Sequence, residues 1–135
     1  MGAAVGDQGE SVAPHVVLLI EDDPRIAAFM IRGLRASGFA VDWVTTGTEG
    51  LARLAAGGVD VQILDLGLPD MDGLDLLRRL TLEGIDVVTV VVTARTDPND
   101  RRLAESLGAD HYITKPFAWA DLISAVRAGT RLPID

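Results

Sequence analysis

The sequence predicts one α/β domain with a doubly wound parallel sheet. Three observations carry this expectation: five short apolar, β-rich runs alternate with segments of helical period, the connections between them are short, and two of the runs are apolar almost throughout. Strict β-α alternation with short links calls for parallel strands, and right-handed crossovers then place helices on both faces. A chain of 135 residues has room for one such domain and for a substantial core. With 48% hydrophobic and 24% charged residues it lacks the composition of a disordered chain.

Residues 1 to 14 are small and polar without hydrophobic period, and read as a flexible tail. The strand candidates are HVVLLIE (15 to 21), AVDWVTT (40 to 46), DVQILD (60 to 65), DVVTVVVT (86 to 93) and HYIT (111 to 114). The first and fourth suit strands covered on both faces; the second, interrupted by Asp42, Trp43 and threonines, suits an edge. The first helix is expected to open at Pro24, to bury Ile26, Phe29, Met30 and Leu34, and to stop at Gly38. A second spans Thr48 to Ala56, and Leu74, Leu77 and Leu80 mark a third. The fourth, about 98 to 107, aligns only Leu103, Ala104 and Leu107 among charged neighbours, so it is expected to be weakly anchored. Trp119, Leu122, Ile123 and Val126 form the apolar stripe of the last, with an exposed aromatic anchor as the alternative reading of Trp119. The domain is expected over 15 to 130, with 131 to 135 as its end or the start of a linker.

Composition narrows the chemistry. The chain has no cysteine, which excludes disulfides, thiolate metal sites and a cysteine nucleophile. A net charge of −8 repels polyanions, so direct contact with nucleic acid is not expected. No run approaches the roughly 18 to 20 apolar residues of a membrane span, and the first residues lack a signal-peptide pattern, so the expected location is cytoplasmic. Of the 12 basic residues, Lys115 is the single lysine.

Sites in open α/β sheets form beyond the carboxyl ends of the strands, where strand order reverses. The residues at those ends are Glu21-Asp22-Asp23, Asp65, Thr93 and Lys115-Pro116. With strand order 2-1-3-4-5, Asp22, Asp23 and Asp65 converge, with Thr93 and Lys115 on the rim. Two carboxylates about 4 Å apart repel by roughly 4 kcal/mol at an effective dielectric near 20, so three in one pocket require cations. Lys115 supplies one charge; the remainder suits a hard, oxygen-preferring divalent ion, Mg²⁺. An aspartate nucleophile, a metal, a lysine and a hydroxyl together suit phosphoryl transfer to the aspartate. Taken singly, Asp22 or Asp23 reads as a cap for the helix at Pro24 and Thr93 as an ordinary strand end; the four strand ends together do not read that way.

At these residues the sequence resembles the receiver domain of two-component response regulators, over about residues 15 to 130. The carriers are EDD (21 to 23), DLGLPDMDG (65 to 73), VVVTA ending at Ala94, and GADHYITKPF (108 to 117). The resemblance implies a flavodoxin-like fold and a signalling protein rather than an enzyme. It further implies that Asp65 accepts a phosphoryl group from a sensor histidine kinase, that Asp22, Asp23, Asp65 and the Gly67 carbonyl hold Mg²⁺, and that Lys115 pairs with the phosphoryl group. Thr93 and Tyr112 would be the switch pair, Tyr112 swinging inward, and the Lys115-Pro116 bond would be cis. The output would pass through a face made by the fourth helix, last strand and last helix, with a homodimer on phosphorylation. Gly67 and Arg95 would flank the entry of an attacking water.

DLGLPDMDG is most similar to the DNA-binding transcription-regulator subgroup. The sequence departs from that subgroup at Glu105, Ser106 and His111, which puts its dimer face in question; His111 reads as an exposed strand residue. The chain ends soon after the last helix, so a C-terminal DNA-binding domain is not expected within it. Two other readings compete: a receiver-like module acting through a fixed surface without phosphorylation, and an enzyme or flavin carrier on the same fold. The latter fits poorly, since Gly67 stands where a phosphatase would need an acid and EDDP where a flavodoxin would need a phosphate loop.

Overall fold

The computed structural model describes residues 13 to 130. Strands and helices alternate as β1 (Val16–Ile20), α1 (Pro24–Ala36), β2 (Ala40–Val44), α2 (Gly47–Ala55), β3 (Val61–Leu64), α3 (Gly73–Leu82), β4 (Val88–Thr93), α4 (Pro98–Ser106), β5 (His111–Thr114) and α5 (Trp119–Thr130). The sheet is parallel throughout, in the order β2-β1-β3-β4-β5, as expected. The expected tail and C-terminal end lie outside the described residues, apart from Ala13 and Pro14.

Side-chain alternation along the strands divides the core in two. Val17, Leu19, Ile63, Val90 and Val92 face α1 and α5, meeting Ala27, Met30, Leu34, Leu122 and Val126. Leu18, Ile20, Leu64 and Val91 face α2, α3 and α4, meeting Leu54, Leu76, Leu77, Leu80 and Ala104. Each fully buried leucine or isoleucine contributes about 1.5 to 3 kcal/mol, which is why strands covered on both faces tolerate few polar residues. Gln62 is the exception on β3: its amide nitrogen donates to Thr89 Oγ1 at 3.0 Å, while its Oε1 is buried without a partner.

The edge position of β2 and the weak anchoring of α4 follow the sequence expectation: Asp42 and Trp43 are exposed, and Ala104 alone is buried on α4. Phe29 departs from it. The buried stripe of α1 runs through Ala27, Met30 and Leu34, and its centre lies roughly 130° around the helix from Phe29, which is 53% exposed. Its ring instead meets Trp119 edge-on, centroids 5.7 Å apart. Trp119 is half-buried against the core, the stripe reading, and its ring lies so close to Gly33 that a Cβ there would stand 2.6 Å from it.

The loop after β3 is fastened at both ends. Gly73 opens α3 where a Cβ would stand 2.7 Å from the Leu66 Cα, which only glycine permits. Asp70 reaches across to α2, accepting from the Gly47 and Thr48 amides at 2.8 and 2.9 Å and from the Thr48 hydroxyl at 2.7 Å. It thus satisfies amides at the start of α2 that the helix itself cannot. The Thr48 hydroxyl and these amides hold the Asp70 carboxyl at about 2, below its ordinary 3.8. A depressed folded-state pKa means that the contact stabilises above about pH 4 and is lost as the pH falls toward 2. Carboxyl titration followed by NMR is expected to give Asp70 a midpoint near 2 that rises in Thr48→Val, which removes the hydroxyl, but stays below the ordinary range because both amides remain; an ordinary midpoint in the wild type would contradict the contact.

Candidate functional site

Where β1 and β3 part company with their neighbours, the chain leaves the sheet carrying acids. Glu21 still pairs with the sheet through its amide, which donates to the Val44 carbonyl at 3.1 Å, and its side chain is buried at 2% exposure. All of its polar atoms are engaged. The Trp43 indole N–H donates to its carbonyl at 2.8 Å, the Asp23 amide to Oε2 at 3.1 Å, and Lys115 Nζ to Oε1 at 2.8 Å. Asp65, one residue past β3, takes a second bond from Lys115 Nζ at 3.0 Å on Oδ2, and its Oδ1 accepts from the Gly67 amide at 3.1 Å. Lys115 is set by the sheet: its amide donates to the Thr93 carbonyl at 2.8 Å, continuing the pairing of β4 with β5. The Lys115-Pro116 bond is cis, as the resemblance implied.

Burial works against both ends of the lysine bridge. It raises the Glu21 pKa even though Lys115 pulls the other way. At Lys115 burial also favours the neutral form, but bonds to Glu21 and Asp65 outweigh it and hold the ammonium above its usual range. The charge on Lys115 is therefore secure.

Oxygens of Glu21, Asp22 and Asp65 lie within 4.8 Å of one another, with Asp22 exposed to solvent. The expected trio of Asp22, Asp23 and Asp65 is not the one gathered: Glu21 stands in place of Asp23. Asp23 is the N-cap of α1, its Oδ1 accepting from the Arg25 amide at 2.9 Å and the Ile26 amide at 3.4 Å, and the Arg25 N–H foremost keeps its carboxyl below the usual range. The sequence held the signal: Pro24 at the first helical position makes the preceding aspartate the cap. The cluster has hard oxygen donors and no histidine or cysteine, and three carboxylates with one ammonium leave two negative charges, so the residues fit a divalent ion of the Mg²⁺ kind.

Thr93 ends β4 at 1% exposure, its Oγ1 accepting from the Arg95 amide at 3.4 Å. Tyr112 is buried at 8% exposure, its hydroxyl donating to the Arg95 carbonyl at 3.0 Å, with the Arg101 guanidinium 5.8 Å from its ring centre. Burial, with Asp100 beyond, pushes the phenol up. The Tyr112 side chain is thus turned into the domain and anchored on the β4-α4 loop. Gly67 is tied to Asp65 through its amide, which leaves its carbonyl, the group expected to face an ion, outside that bond. His111 lies on β5 as expected but is half-buried rather than exposed. Sequence reasoning missed the ion pair of Arg95 with Asp72, at 3.0 Å, because no spacing rule links the two loops.

A 2-1-3-4-5 parallel sheet bearing an acid cluster and a lysine at the carboxyl ends of its strands is a CheY-like, flavodoxin-type architecture. The chain belongs to the response regulator receiver domain family, whose model matches residues 17–127, and that family signals rather than catalyses metabolic reactions. It is 41% identical over 112 residues to the transcriptional regulatory protein QseB of Haemophilus influenzae, covering 83% of this chain and 51% of that protein. It is 40% identical over 116 residues to the transcriptional regulatory protein KdpE of Mycobacterium tuberculosis, covering 86% and 51%. The chain thus spans about half the length of the curated relatives it matches. Among solved structures it resembles a CheY-like receiver domain protein from Methanospirillum hungatei, with TM-score 0.80, 27% identity and coverage of 85% of this chain and 92% of that one. The receiver domain of the Francisella response regulator 1452 gives 0.81 and 28%, covering 85% and 95%.

The different tasks of the two neighbouring aspartates can be separated. Loss of even an outer-sphere partner typically weakens metal binding about 10- to 100-fold, so Asp22→Asn is expected to weaken Mg²⁺ binding by about tenfold or more in calorimetric titration. Asp23→Asn, which keeps the cap, is expected to change it by less than about twofold. Equal losses would contradict the division.

Proposed function

We propose that the domain is a phosphorylation-activated switch of a two-component system, in which Asp65 accepts a phosphoryl group from the phosphohistidine of a sensor kinase. The observation that carries this reading is the Lys115 ammonium held between Asp65 and Glu21 at the mouth of the acid cluster. A carboxylate oxygen of Asp65 forms the new bond to phosphorus as the bond to the donor imidazole breaks, and the imidazole nitrogen keeps the electron pair. Lys115 neutralises charge on the phosphoryl oxygens. The Thr93 hydroxyl accepts from Arg95 and keeps its own proton for a phosphoryl oxygen.

Asp22, Asp65 and the Gly67 carbonyl are the groups we assign to Mg²⁺, with Glu21 supporting them through Lys115. When bound, the ion supplies charge neutralisation and a template for the phosphoryl oxygens. An apolar strip lined by Ile26, Phe29, Pro116 and Phe117 adjoins Lys115 and suits the approach of the kinase segment that bears the histidine. Output passes through α4, β5 and α5, since α4 is the least anchored helix and Tyr112 lies beneath it. The relatives are named as transcriptional regulatory proteins, which supports control of transcription as the output; homodimerisation on phosphorylation is what the resemblance to receiver domains implies. No described helix is long and apolar enough to cross a membrane, which agrees with a cytoplasmic site of action.

Incubation with Mg²⁺ and a small phosphodonor is expected to add one phosphate per chain to the wild type and none to Asp65→Asn, as read by intact mass. Equal labelling of both would overturn the assignment.

A further inference from the structure

The Arg95 side chain belongs to neither the acid cluster nor the core, yet it joins three parts of the switch region. Its guanidinium forks onto Asp72, Nη1 to Oδ1 at 3.2 Å and Nη2 to Oδ2 at 3.0 Å, and Nη2 also reaches the Leu66 carbonyl at 3.4 Å. Leu66 directly follows Asp65, and Asp72 is the N-cap of α3, so both ends of the β3-α3 loop are held by one side chain. Its backbone faces the other way: the amide donates to Thr93 Oγ1 and the carbonyl accepts from the Tyr112 hydroxyl.

We propose that Arg95 is a positioning residue whose ion pair with Asp72 clamps the β4-α4 loop to the β3-α3 loop and thereby holds Tyr112 in its inward position. Exposed ion pairs usually contribute little, but this one has the geometry that makes the exception: a two-pronged arginine-carboxylate contact, both side chains about two-thirds covered at 32% and 37% exposure, and a third acceptor on the same fork. The Asp72 bond also holds the guanidinium above its usual pKa, so Arg95 keeps its charge. If the clamp opens, the Arg95 carbonyl is free to move, and Tyr112 loses the acceptor that offsets burial of its hydroxyl. A lysine could supply the charge at this position but not the fork. The proposal rests on the reading of Thr93 and Tyr112 as the switch pair, and its test is independent of phosphorylation.

Tyr112 is the only tyrosine of the chain, so 3-fluorotyrosine gives a single ¹⁹F resonance that reports its position. Asp72→Asn keeps an N-cap for Leu74 while removing the charge, and Arg95→Ala removes the fork. Both are expected to move the resonance toward that of an exposed tyrosine, corresponding to about a two- to fivefold shift in the inward-to-outward ratio. The double variant is expected to shift it no further than either single one, and Arg95→Lys not to restore it. An unmoved resonance in Asp72→Asn, or additive shifts in the double variant, would overturn the clamp. Should Arg95→Ala fail to fold, Asp72→Asn and Arg95→Lys carry the test. Failure of Asp65 to take up phosphate in the wild type would instead strike at the proposed function and leave the ¹⁹F result standing.

Discussion

Three carboxylates share the carboxyl edge of the sheet within 4.8 Å of one another, and the Lys115 ammonium bonds to two of them. That bridge spans 94 residues of sequence and is the contact on which the rest of the site depends. Lys115 is placed by the register of β5 on β4, Glu21 by the last pairing of β1 with β2, and Asp65 by the exit of β3 beside β1. A one-residue slip in any of these strands would turn the side chain to the opposite face and leave a buried carboxylate without a counter-charge, at several kcal/mol. The apolar core is thus what specifies the charge pattern, and Lys115 makes that pattern tolerable.

The loops around the cluster are tied to one another. Asp70 fastens the β3-α3 loop to the start of α2, Asp72 both caps α3 and meets Arg95, and Trp43 holds the Glu21 carbonyl from the edge strand. Against this braced side, α4 buries a single alanine. A change in charge at Asp65 therefore meets stiff elements on the α1, α2 and α3 sides and a soft one at α4, so displacement is channelled in that direction.

Much of this was legible in the sequence because it depends on periodicity. Alternating apolar runs gave the five strands, strand ends gave Asp65, Thr93 and Lys115, and sparse apolar residues gave the loose α4. The choice between Asp22 and Asp23 depended on which aspartate caps α1, a local rule that Pro24 announces but that competes with the pull of three acids in a row. Phe29 lies well off the buried stripe, and its partner Trp119 comes from the far end of the chain, which helical spacing alone does not reveal. Arg95 with Asp72 and Asp70 with Thr48 join separate loops, and such pairs are fixed by tertiary packing rather than by any spacing.

The central claim is that Glu21, Asp22, Asp65 and Lys115 surround one cation-seeking pocket. Mn²⁺ favours the same oxygen donors as Mg²⁺ and broadens nearby NMR signals, so trace amounts map the site directly. The account predicts that the amide resonances of residues 21 to 23, 65 to 67 and 115 broaden first, while those of Asp86 and Asp110, which precede β4 and β5 at the opposite edge of the sheet, stay sharp. Broadening centred on Asp86 and Asp110, with Asp65 unaffected, would contradict it.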